Sequence, residues 1–134
     1  MKHIFTALVL LVSVTFAEVL NEYPSQQLLE KKIPVVDIRT PAEWKETGVF
    51  KGAIPIMFFN EQGAYDLNGF LKELQSKVDT SKPFALVCRT GSRTKVVAHY
   101  LAKELGYTVI DLQGGMTAVQ ALKLPIEPYK KWNL

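Results

Sequence analysis

The chain has 134 residues with 16 basic and 13 acidic side chains, a net charge of +3, and a single cysteine. So small a basic excess, with no long basic stripe interleaved with aromatics, argues against a nucleic-acid-binding protein, and one thiol excludes an internal disulfide framework. The length suits one domain around one core.

The first segment reads as an address and not as part of the fold. Lys2 precedes an uncharged, mostly apolar run from Ile4 to Ala17, which closes on Thr15 and Ala17 at cleavage-site spacing before Glu18. This is the pattern of a secretory signal. As a helix the run would be about 21 Å long, short of the roughly 30 Å hydrocarbon core of a bilayer. Residues 1–17 are therefore expected to be a signal peptide and residues 18–134 the exported domain, periplasmic or secreted, with no membrane attachment after cleavage. An uncleaved anchor or a buried first helix are the alternatives.

Along the rest of the chain, strand and helix signals alternate. Ser25–Lys32 reads as a short helix capped by Ser25, and Pro34–Ile38 as a buried strand. Thr40, Pro41 and Glu43 then spell a helix start with a capping box, and Gly48 a stop. Ala53–Phe59 is apolar but interrupted by Pro55, hence an irregular strand and loop. Leu67, Phe70, Leu71, Leu74 and Val78 lie on one helical face. Phe84–Cys88 reads as a buried strand, Arg93–Leu105 as a helix ended by Gly106, and Thr108–Leu112 as another strand. Gly114 and Gly115 make a turn, Met116–Lys123 a last helix, and Pro125 and Pro128 break up the tail. The expectation is an α/β fold with a mostly parallel central sheet covered by helices on both faces.

Chemistry concentrates at Cys88. It ends a predicted parallel strand, at the edge where open α/β sheets bind ligands. The six residues Cys88, Arg89, Thr90, Gly91, Ser92 and Arg93 link that strand to a helix start. Gly91 permits a positive φ, successive amides of such a turn can converge on an anion, and the helix start adds partial positive charge. A sulfur there is favoured as a thiolate or a persulfide anion and can attack a sulfur or phosphorus electrophile. Four residues separate Cys88 from Arg93. Cysteine-dependent phosphatases have a similar loop with five, which leaves room for a phosphate; the tighter ring suits one sulfur atom. The bland alternative is a core cysteine.

Three segments in order carry a family resemblance: Val35–Ile54 with its Asp-x-Arg, Glu-aromatic and Gly-Ala pattern, Cys88–Thr94 with Cys-x-x-Gly-x-Arg-Thr, and Leu105–Met116 with its closing strand and double glycine. From about Val19 to Tyr129 the chain resembles a single-domain rhodanese. The resemblance implies a thiosulfate sulfurtransferase. Cys88 is its catalytic residue, and Arg89, Thr90, Gly91, Ser92 and Arg93 hold the substrate sulfur. It implies no metal and no cofactor. The expected partners are a small anionic sulfur donor and a cyanide or thiol acceptor. A persulfide carrier with little turnover is the first alternative, and a small phosphatase or arsenate reductase the second. The tryptophan that such chains often place after the double glycine is absent; Met116 and Val119 occupy that region.

Other candidates read as structural. Asp37 is expected to end a buried strand, and Arg39 to pair with Glu43. Arg93 is expected to orient the loop and Arg89 to meet solvent and attract anions. His99 falls on a solvated face with Lys95 and Lys103. Trp44 is expected at the core or its rim, and the Tyr129–Leu134 tail, with Trp132, packed on its own domain.

Overall fold

The computed structural model describes residues 8–10 and 17–130. Most of the expected signal peptide, and the tail from 131 with Trp132, lie outside the described residues. Among the described residues no helix is long and apolar enough to cross a membrane.

Among the described residues, seven strands and five helices follow in chain order: β1 (Val19–Glu22), α1 (Gln26–Glu30), β2 (Val35–Asp37), α2 (Pro41–Thr47), β3 (Val49–Phe50), β4 (Ile54–Pro55), α3 (Leu67–Lys77), β5 (Phe84–Val87), α4 (Ser92–Leu105), β6 (Val109–Leu112), α5 (Gly115–Ala121) and β7 (Ile126–Glu127). Five strands form a parallel sheet in the order β1-β6-β5-β2-β4. The fold is α/β, as the alternation of signals implies. Pro55 has no N–H to give, and it sits in β4, at the sheet's edge, where a missing donor is tolerated.

Strand alternation sorts the core into two layers. Phe84, Leu86 and Cys88 face Phe70 and Leu74 of α3 and Val97 and Leu101 of α4. Ala85 and Val87 face the other way, toward Leu28 of α1, Trp44 of α2, and Met116 and Val119 of α5. Met116 and Val119, in the place of the absent tryptophan, thus fill the second layer as ordinary apolar side chains.

The helix starts follow the local chemistry. The Leu28 N–H donates to Ser25 Oγ, and the Gly69 N–H to Asp66 Oδ1. Thr40 and Glu43 form a reciprocal capping box with Pro41 at the first helical position. Gly106 ends α4 in the left-handed region at φ 73°.

Three short strands were not expected. β1 extends the sheet beside β6, and β3 pairs antiparallel with β7. The prolines of the tail therefore do not leave it irregular: Ile126 and Glu127 form a ladder between them, and the Pro125 carbonyl accepts from the Lys51 N–H at 3.0 Å. The last helix also stops at Ala121, before Lys123.

The topology fixes where a ligand can sit. Leaving β2, the chain crosses to β4 on one side; leaving β5, it crosses to β6 on the other. The crevice between the carboxyl ends of β2 and β5 is the switch point, the preferred ligand position of open α/β sheets.

Candidate functional site

Two loops meet at that switch point. One follows β2 and carries Asp37, Arg39 and the start of α2; the other follows β5 and carries Cys88 to Arg93. Parallel pairing brings them side by side, with Asp37 opposite Val87 and the Ile38 N–H donating to the Val87 carbonyl at 3.0 Å.

The Cys88 Sγ accepts a hydrogen bond from the Gly91 N–H at 3.2 Å. Gly91 adopts φ +101°, which an L side chain rarely takes, and this turns its amide back on the sulfur. Among the loop amides, this is the one that reaches Sγ. Thr94 Oγ1 lies 3.6 Å from Sγ and donates to the Gly91 carbonyl at 3.2 Å, so one hydroxyl ties the first turn of α4 to the loop. Cys88 itself is 0 % exposed. The thiol stands at the sheet edge the sequence gives it, but the loop is closed over it. Arg89, Thr90 and Ser92 are exposed on the loop's outer side, and Gly91 and Arg93 are half-buried.

The carbonyl side of the loop is fastened to α5. The Met116 N–H donates to the Cys88 carbonyl at 2.8 Å and the Thr117 N–H to the Arg89 carbonyl at 3.0 Å. Thr117 adds its hydroxyl to the same Arg89 oxygen at 3.1 Å. These bonds need Gly115 to approach closely. A Cβ there would strike the Cys88 carbonyl and stand 2.7 Å from the Arg89 oxygen. The second glycine of the double-glycine turn is thus a contact surface for the thiol loop.

Arg93 closes the loop from its far end. Its two terminal nitrogens donate to Glu43 Oε1 at 2.7 Å and Oε2 at 2.8 Å. The pair is about one-quarter exposed. The Arg93 hydrogen bonds hold the Glu43 carboxyl down from 4.5 to about 2, against the opposing effect of burial. Arg93 is raised in turn, mainly by its hydrogen bonds to Glu43, against the opposing effect of burial.

The expected Arg39–Glu43 pair does not form. Arg39 lies at a bend just before the Thr40 cap, and its side chain doubles back on Asp37. Nε and Nη2 reach the Asp37 carboxylate at 2.8–3.1 Å, and the remaining donors go to Thr47 Oγ1 at 2.7 Å and the Gly48 carbonyl at 2.8 Å. Asp37 and Arg39 are both buried, a hydrogen-bonded pair that braces α2 under the site. Glu43 is left free for Arg93. Its helix-start role was legible in the sequence; its reach across 50 residues to the loop was not.

The remaining candidates lie apart. His99 is exposed on α4 with Nδ1 on the Lys95 carbonyl at 3.0 Å. Trp44 is buried on α2 and packs against Tyr129, ring centres 5.3 Å apart.

The family model for the rhodanese-like domain matches residues 20–122. A Bacillus subtilis protein named "Putative sulfurtransferase YtwF" is 28% identical over 89 residues, 66% of this chain and 75% of that one. The M. tuberculosis protein Rv0390 superposes with a TM-score of 0.66 at 21% identity, over 84% of this chain and 100% of that one. The polysulfide-sulfur transferase homodimer of Wolinella succinogenes gives 0.62 at 22%, over 87% and 83%.

Proposed function

The chain belongs to the rhodanese-like domain family, and on that premise we propose that it is a sulfurtransferase working through a persulfide on Cys88. The Cys88 thiolate attacks the outer sulfur of an anionic donor such as thiosulfate. The donor's S–S bond breaks and sulfite departs with the electron pair. The persulfide stays in the loop until a nucleophilic acceptor, cyanide or a thiol, takes the outer sulfur and returns the thiolate.

The observation that carries this reading is the Gly91 N–H on Cys88 Sγ at 3.2 Å, in a loop clamped from both ends by Glu43 and α5. A donor amide fixed on the sulfur holds it in place on the loop, and a double displacement needs no second thiol. Entry of the donor requires the exposed Arg89–Ser92 segment to lift from the buried sulfur. Arg89 faces solvent there and attracts the anion. With residues 1–17 as a cleaved export signal, the transfer takes place outside the cytoplasm.

Mass spectrometry of the protein after thiosulfate, followed by a cyanide turnover assay, tests the proposal. The expected result is a gain of one sulfur atom at Cys88, discharged by cyanide, with both steps absent in Cys88→Ser. Failure of the wild-type thiol to gain sulfur overturns it. Fast loading with slow discharge favours the sulfur-carrier reading.

A further inference from the structure

A cavity of about 390 Å³ opens where the loop after β4 runs into the start of α3. Its apolar walls are Met57 and the rings of Phe58, Tyr65 and Phe70. The rings hold one another in place. Tyr65 stacks on Phe58 with centroids 5.3 Å apart, and Phe70 meets Phe58 edge-on at 4.8 Å. Phe58 and Phe70 are buried, whereas Tyr65 is 61 % exposed. The charged residues in the wall are Asp66 and Glu73, with no lysine or arginine among the described residues that line it. Glu73 shares its charge with Lys77 at 3.3 Å in a pair about half exposed, which leaves Asp66 as the stronger of the two. In a chain of net charge +3 this is an acidic, aromatic recess. No residue from Cys88 to Arg93 lines it.

We propose that the recess binds a small organic cation whose charge sits on an alkylated nitrogen, a quaternary ammonium. The site is separate from the sulfur chemistry and does not depend on it. Charge selects the class first. The faces of aromatic rings attract cations, and the two carboxylates add to that field. The volume falls within the roughly 300–1,000 Å³ of small-molecule sites. Hydrated metal ions need about six or more oxygen ligands, which two carboxylates on aromatic walls do not supply.

The hydrogen-bonding inventory then selects within the class. Asn60 Oδ1 already accepts from the Gln62 and Ala64 N–H groups at 3.0 and 2.9 Å. Asp66 Oδ1 accepts from the Gly69 N–H at 3.1 Å. A primary ammonium brings three donors, and those turned toward the rings would lose water without gaining a partner. An alkylated nitrogen has no donor to satisfy and lays its methyl groups on the rings. Gly69 fits the same reading. It stands inside α3, where glycine weakens a helix, and a Cβ there would strike Asp66 Oδ2. The missing side chain leaves that carboxylate its place in the wall.

The test titrates the protein with choline, with 3,3-dimethylbutan-1-ol, its uncharged carbon isostere, and with ethanolamine, its unmethylated amine. Binding is read from amide NMR shifts over residues 57–73, the span of the lining. Choline is expected to bind roughly tenfold more tightly than either comparison compound, and added salt should narrow its lead over the isostere. Asp66→Asn keeps a side chain able to cap α3 and should weaken choline several-fold while leaving the isostere unchanged. Tyr65→Leu should weaken choline more than the isostere. Equal binding of choline and the isostere overturns the cation assignment. Ethanolamine binding as well as choline overturns the alkylated nitrogen. Absence of choline shifts over residues 57–73 overturns the site. The wild-type comparison decides the matter if a variant misfolds, and sulfur loading of Cys88, measured on the same protein, stands or falls separately.

Discussion

Glu43 and Arg93 meet through two parallel hydrogen bonds of 2.7 and 2.8 Å although they stand 50 residues apart in the chain. One belongs to the helix after β2, the other to the helix after β5. The pair therefore ties the two halves of the switch-point crevice together, at the far end of the thiol loop.

This pair sets a pH dependence. The folded Glu43 carboxyl lies at about 2 and its ordinary value is 4.5, so the folded state holds fewer protons between them. Its contribution is complete above about pH 4.5 and is lost as pH falls toward 2. Glu43→Gln keeps a side chain able to complete the capping box and removes the charge. It should cost about 1–2 kcal/mol at neutral pH and flatten the acid limb of stability. Urea unfolding from pH 6 to pH 3 checks this; an unchanged acid limb in the variant would refute it.

Gly115→Ala should disable the loop more than the fold. The new methyl group collides with the Cys88 and Arg89 carbonyls and drives α5 off the loop. A loss of about 1–3 kcal/mol is expected for overpacking of this kind, with sulfur loading of Cys88 slowed by at least roughly tenfold through misplacement of the sulfur. Loading kinetics at wild-type speed would show that the loop does not need its α5 ties.

Thr94→Val removes the hydroxyl that bonds the Gly91 carbonyl and sits beside Sγ while keeping the shape. The expected loss is about 1 kcal/mol of stability and a several-fold slower persulfide formation. Thr94→Ser should restore both. Equal loading rates in Thr94→Val and wild type would confine Thr94 to packing.

Arg39→Ala leaves the Asp37 carboxylate buried without its cation. Breaking a buried pair in this way typically costs about 3–5 kcal/mol. The variant should show a large drop in its unfolding midpoint. A change below about 1 kcal/mol would mean that Asp37 finds another partner or takes up a proton.

The sequence carried the central features because they are local. The Thr40 capping box, the left-handed Gly91 and the strand that leads into Cys88 all depend on residues a few positions apart. What it did not reveal depends on pairing at a distance. Glu43 and Arg93 each have local roles, and nothing in their spacing announces that their helices meet. Val19–Glu22 is too short and too exposed at its far end to show strand periodicity, and it becomes a strand because β6 offers an edge. Ile126 and Glu127 lie between Pro125 and Pro128, which read as a break; the ladder with β3 overrides that signal. The closure of the loop over Cys88 likewise follows from α5 gripping the carbonyls, a contact made by Gly115 that a turn signal does not foretell.

The pairing of β7 with β3 has a practical consequence for handling the molecule. Residues 126–129 reach back to Val49 and Phe50 and lay Tyr129 on Trp44, the immediate neighbour of Glu43. A linker pulling on the carboxyl end would load that clasp first and transmit the strain into the helix that steadies Arg93. Immobilisation or labelling is better directed to the carboxyl end of α4, where Lys103 is open to solvent, than to its first turn, which holds the thiol loop.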